Sequence, residues 1–205
     1  MKNINRNVTH AYKSQLHIIL TLGIVLFMFI SCNTMSVIKK NESAGLNGDF
    51  EIVEDGFPVN WFFISPKALE NHSYELVIDT TDFKGGRQSL KILVHEVDMS
   101  RDIWNNPGMF HNIDAIPGET YKTTFWLKNE GCSFRVKNRS ENHPLEYEET
   151  IIQTNSSINN WQFFEHKYTV PQEYDRLGFY LHIWETGSLW IDDINIEKMN
   201  DSDSD

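Results

Sequence analysis

From Leu46 onward the sequence alternates apolar and polar residues with a period of two, in short runs closed by turn residues. The clear runs are 74–78 (YELVI), 89–94 (SLKILV), 121–127 (YKTTFWL), 134–136, 164–170 (FEHKYTV), 177–184 (LGFYLHIW) and 189–196 (LWIDDINI). Lys84-Gly85-Gly86, Pro107-Gly108, Pro117-Gly118, Asn129-Glu130-Gly131 and Thr186-Gly187 separate them with residues that preset or tolerate turn geometries. Neighbouring side chains on a strand point to opposite faces, so each run can bury only one face. No helix-period segment longer than two turns follows residue 46. The pattern predicts an all-β, antiparallel β-sandwich of the jelly-roll type, one domain over residues 46–198. Tyr121, Thr123, Phe125 and Leu127 then face the core and Lys122, Thr124, Trp126 and Lys128 face out; Phe179, Leu181 and Ile183 face in, and Tyr180, His182 and Trp184 face out.

The N-terminus reads as an address. Lys2, Arg6 and Lys13 precede an apolar run from Ile18 to Ile30, followed directly by Ser31-Cys32, which is signal-peptide anatomy. At about 1.5 Å per residue the run covers roughly 20 Å, short of the roughly 30 Å hydrocarbon layer. Ser31-Cys32 resembles the lipobox of bacterial lipoproteins, although Phe29 and Ile30 depart from its usual Leu and small residue. The resemblance implies a signal peptide over 1–31 and a lipidated Cys32 as first mature residue, with ordinary secretion or an uncleaved anchor as the alternatives. Residues 32–45 read as a flexible tether and 199–205 as a disordered acidic tail. Localisation follows as the cell envelope, lipid-anchored at the outer membrane. With Cys32 acylated, Cys132 has no disulfide partner. The chain carries 18 basic against 29 acidic residues, a net charge of −11, and the leading segment holds three of the bases and no acid. Such a field repels nucleic acid.

Five pieces in order carry a resemblance to a known domain type: Leu46-Asn47-Gly48-Asp49-Phe50-Glu51 followed by Trp61; Gly86-Arg87-Gln88-Ser89-Leu90-Lys91-Ile92; Pro117-Gly118-Glu119-Thr120-Tyr121 running to Trp126-Leu127-Lys128; Trp161; and Leu189-Trp190-Ile191-Asp192-Asp193-Ile194. Together they resemble the galactose-binding-like jelly roll of carbohydrate-binding modules of families 4/9 and 22. Related domains also occur as accessory modules on bacterial esterases and proteases. The resemblance implies a structural Ca²⁺ held by Glu51 with Asp192 or Asp193 and loop carbonyls near Lys84 and Gly85. The alternative is that Glu51 and Asp192 satisfy backbone N–H groups or a lysine without metal. Trp61 and Trp161 are expected to plug the ends of the sandwich. Trp190, Asp192, Ile194 and Ile196 share parity, which sends Asp192 toward the core side.

Sugar rings stack their C–H faces on aromatics and offer hydroxyls to polar neighbours. If the strands of Trp126 and Trp184 pair antiparallel, Trp126, Tyr180, His182 and Trp184 form one band, with Trp104 and His111 as a wall. That band would bind a polysaccharide or oligosaccharide. Arg135, Lys137 and Arg139 alternate and would share an outward face, reading sulfate or uronate groups or simply forming a solvated strand edge. Catalysis has little support: Gly-x-Ser-x-Gly, His-Glu-x-x-His and phosphate-loop patterns are missing, and Glu146, Glu148 and Glu149 read as a polar connection. The sequence therefore points to a lipid-anchored, non-catalytic carbohydrate-binding module. Its alternatives are a scaffold domain docking envelope protein partners and, third, a polysaccharide-active enzyme.

Overall fold

The computed structural model describes residues 40–65, 68, 72–97, 106–142 and 145–200; the apolar N-terminal segment with Cys32, Trp104 and the tail 201–205 lie outside them. The described strands are β1 (Val53–Glu54), β2 (Phe57–Pro58), β3 (Phe62–Ile64), β4 (Tyr74–Asp79), β5 (Ser89–Val94), β6 (Gly108–Asp114), β7 (Thr120–Glu130), β8 (Phe134–Asn142), β9 (Leu145–Thr154), β10 (Ile158–Thr169), β11 (Arg176–Ile183) and β12 (Gly187–Lys198). Beyond the β1-β2 hairpin they form two five-stranded sheets. We call β3-β6-β11-β8-β9 the front sheet and β10-β7-β12-β5-β4 the back sheet. Every pairing is antiparallel. From β5 to β12 the chain repeatedly crosses between the sheets, which makes the antiparallel β-sandwich a jelly roll.

The alternation does the folding. Tyr121, Thr123, Phe125 and Leu127 of β7 are buried on the inner side, as are Phe179, Leu181 and Ile183 of β11. They meet Leu90, Ile92 and Val94 of β5 and Phe134 and Val136 of β8 in one core. Phe125 and Phe179 touch edge to face across it, centroids 5.4 Å apart. Trp61 closes one end: it is 1% exposed, packs on Phe50 and Phe179 and donates its indole N–H to the Asn47 carbonyl (3.0 Å). The Asn47 side chain in turn bonds the backbone of Ile52 and Val59. Thus the Leu46–Glu51 motif and Trp61 form one plug.

Three expectations are corrected. Trp161 does not plug an end; it lies half-buried on the outer side of the back sheet, its N–H donated to Asp82 Oδ1 (2.8 Å). The shared parity of 190–196 fails because β12 bulges between Asp192 and Asn195, with Asp193 at φ 51°. The extra residue resets the alternation, so Leu189, Ile191, Ile194 and Ile196 all pack on the core while Trp190 and Asp192 face out. Glu148 and Glu149 belong to β9, whose polar outward residues hid its period.

Candidate functional site

The register of the front sheet lays out its outer face in rows. His182 stands opposite Arg135 on one side and Gly108 on the other; Tyr180 opposite Lys137 and Phe110; Gly178 opposite Arg139 and Asn112. Phe62 of β3 continues the middle row beside Phe110. The aromatic rings stack along that row. Phe62 and Phe110 lie 4.7 Å apart and Phe110 and Tyr180 5.1 Å apart, the latter pair parallel within 2°. Arg139 covers Tyr180 at 5.2 Å, with Lys137 at 6.0 Å. Both faces of the Tyr180 ring are therefore engaged, and it offers its hydroxyl instead, donated to Glu141 Oε2 (3.4 Å).

Carboxylates stitch the cations. Glu141 also accepts from Asn112 Nδ2 (2.9 Å) and pairs with Arg139 (3.3 Å) and Arg176 (3.9 Å). Glu148 forms a close ion pair with Lys137 and a longer one with Arg135 (3.9 Å). Lys137 and His182 are buried. Burial, reinforced by the positive charges of Lys137 and Arg135, pushes His182 down to about 4, so it is neutral at pH 7. Among the described residues, three buried atoms of this face have no hydrogen-bond partner: Asn112 Oδ1, Arg135 Nε and His182 Nε2. A buried polar atom left unpaired costs about 1–3 kcal/mol.

The outer side of the back sheet is the opposite case. Trp190 donates to Asp79 Oδ2 (2.9 Å) and Trp161 to Asp82. Lys128 is ion-paired with Asp82 and lies 4.1 Å from the Trp190 ring, which holds the Asp82 carboxyl below its ordinary range. Lys84 covers Trp126 at 4.0 Å and Phe163 flanks it at 5.2 Å. The indole N–H groups and the Lys128 ammonium of this layer are matched internally.

The expected aromatic band does not form. Trp126 lies in β7 of the back sheet, whereas Tyr180 and His182 lie in β11 of the front sheet, so their outward faces look in opposite directions. β11 pairs instead with β6 and β8. Trp184, one residue past β11, is half-buried, its backbone N–H donated to the Ser133 carbonyl (3.0 Å). His111 is no wall of the outer face: it opposes core residue Phe179 and packs 5.5 Å from Trp61. Trp104 lies outside the described residues. Arg135, Lys137 and Arg139 do share one outward face, but β8 runs between β11 and β9 and is no edge. Sequence reasoning missed Phe62, Phe110, Asn112 and Glu141. The parity of Met109 and Ile113 was the available signal for Phe110 and Asn112; nothing local places Glu141.

At the bulge, Asp192 is fully buried and accepts three backbone N–H bonds, from Lys84 (2.7 Å), Gly85 (3.0 Å) and Asp193 (2.8 Å). Glu51 accepts from the Arg87 backbone N–H (2.6 Å) and guanidinium (3.0 Å). Asp193 is the carboxylate left over. It packs so closely on the Gly85 turn that a Cβ there would lie 2.4 Å from its Oδ2, while one at Gly86 would lie 2.3 Å from Glu51 Oε1. Burial and the negative charges of Asp49 and Glu51 raise its carboxyl. Among the described residues no three His, Cys, Asp or Glu side chains already converge on a common point, so a cation here would draw on carbonyl oxygens too.

The model of the family described as carbohydrate binding domain, of type 4/9, matches residues 44–188. The chain belongs to that family. Over those residues it is a non-catalytic carbohydrate-binding module. No curated protein matches the sequence. Among solved structures, it is similar to the family 22 module and catalytic module of a Clostridium thermocellum endo-1,4-β-D-xylanase 10B complexed with xylohexaose. The TM-score is 0.55 at 16% identity over 75% of this chain, which spans 28% of that one. A xylan-binding family 22 module of Paenibacillus barcinonensis xylanase 10C gives a TM-score of 0.53 at 12% identity, covering 74% of this chain and 91% of that chain. At these identities the likeness is one of fold.

Proposed function

We propose that this carbohydrate-binding module takes its glycan on the outer face of the front sheet. The observation that carries this reading is the set of unpartnered buried atoms there, Asn112 Oδ1, Arg135 Nε and His182 Nε2. Sugar hydroxyls both donate and accept, so a chain laid across the β6, β11 and β8 rows would pair all three. The half-buried Phe62 and Phe110 supply apolar surface for sugar C–H groups beside them. The test is affinity electrophoresis against a polysaccharide panel including xylan. N112A and R135A should each weaken binding by about tenfold, the loss of one to two hydrogen bonds, while W126A on the opposite sheet leaves it unchanged. Loss in W126A with retention in N112A would move the site to the back sheet.

We also propose that the module is held at a membrane through acylated Cys32, which the Ser31-Cys32 pair after the apolar run supports. Metabolic labelling with a fatty-acid analogue, expected in the native chain and missing in C32S, tests it. Calcium is proposed at the β12 bulge, through Asp193, Glu51 and carbonyls of the facing loop. The raised Asp193 carboxyl supports this, since like charges crowd there. Asp192 is saturated by N–H donors and acts by fixing the Lys84–Gly85 turn. Titrating Ca²⁺ into EDTA-treated protein should raise its melting temperature in the native chain and not in D193N.

A further inference from the structure

The front face carries more positive than negative charge, and the strand register says where. Arg135, Lys137 and Arg139 sit on alternate positions of β8, opposite His182, Tyr180 and Gly178. The carboxylates that meet them among the described side chains are Glu148 and Glu141. Glu148 divides itself between Lys137 and Arg135, and Glu141 between Arg139 and Arg176 while also accepting from Asn112 and Tyr180. Four cations thus share two carboxylates. Arg135 receives least: its contact with Glu148 is 3.9 Å, beyond hydrogen-bond reach, and its Nε is buried without a partner. Directly across the ladder, His182 Nε2 is also without one, on a residue only 6% exposed.

We propose that the Arg135–His182 row is an anion subsite, and that the glycan this module prefers carries carboxylate or sulfate groups. The inference rests on the front face being the glycan site. A guanidinium presents Nε and a terminal nitrogen as a planar fork that two oxygens of one acid group can fill. A neutral hydroxyl would satisfy the Nε–H but leave the surplus cation uncompensated. An anionic oxygen does both, in a bond roughly twice as strong as a neutral one. The need for a built subsite is sharpened by the rest of the molecule, whose net charge of −11 opposes any acidic polymer at long range.

The test is calorimetric titration at low and high salt. Polygalacturonate and alginate are each set beside their carboxyl-reduced forms, and a sulfated galactan beside its desulfated form. An acidic polymer should bind at least about tenfold more tightly than its own neutralised form, and the gap should close in R135Q and at high salt. It should persist in K167Q, which removes an exposed lysine of β10. Which acidic polymer shows the gap separates uronate from sulfate. Equal binding of charged and neutralised forms, with binding still lost in N112A, overturns the acidic ligand and keeps the glycan face. A gap that survives R135Q overturns the subsite. Failure of every polymer to bind the folded protein removes both readings.

Discussion

Replacing His182 by glutamine tests the electrostatics of the front face without any ligand. His182 is buried against Arg135, Lys137 and Arg139, with Glu148 the facing carboxylate, and its folded value is about 4 against an ordinary 6.5. Unfolded, it takes up a proton as pH falls through 6.5; folded, it does not until about 4. The unfolded state binds more protons in that window, so stability present above 6.5 is lost on acidification. From pH 7 to pH 5 the loss is about 2 kcal/mol, and the full difference of 2.5 units corresponds to roughly 3 kcal/mol at an upper bound. Other groups also titrate, notably Asp192, which burial pushes up to about 6 and which acts with the opposite sign. Comparing H182Q with the native chain cancels them. Urea denaturation in EDTA at pH 7 and pH 5 should show the native chain losing about 2 kcal/mol more than H182Q over that interval. Whatever H182Q costs at pH 7 does not enter this difference. Identical pH profiles would refute the buried, cation-flanked histidine and, with it, the surplus positive charge assigned to this face.

Trp61 and Trp126 look alike in the sequence and should separate sharply in denaturation. W61A empties the core plug and costs about 3–5 kcal/mol, whereas W126A loses its contacts with Lys84 and Phe163 for about 1–2 kcal/mol; equal losses would contradict the sheet assignment of Trp126. G48A should fail to yield folded protein by circular dichroism, because its Cβ would lie 1.8 Å from the Ile194 carbonyl oxygen, and a cooperative native-like melt would refute that close approach. Burial pushes the Cys132 thiol up to about 11, so in a C32S chain thiol labelling at pH 8 should be about a hundredfold slower folded than in denaturant. Rapid labelling of the folded chain would show the site to be open.

What the sequence determined was the class of fold and the inner face of most strands, because period-two alternation is a local property of the chain that burial of one sheet face enforces. The 121–127 and 177–184 runs bury the residues that their parity assigns, and the Leu46–Glu51 motif with Trp61 acts as a unit. The outer faces were another matter. That Trp126 and Tyr180 both point outward is written in their runs; that they point outward from opposite sheets depends on which strands pair, a choice made by contacts far apart in sequence. Asp192 shows the same limit at short range. One inserted residue at the β12 bulge reversed its side, and only the docking of the Gly48 loop, whose carbonyl accepts from Ile194 (2.9 Å), holds that bulge in place. The cation stripe of β8 was legible as a stripe, but its value as a binding surface came from tertiary placement. Between β11 and β9 its charges are drawn out of water, and there too few carboxylates reach them.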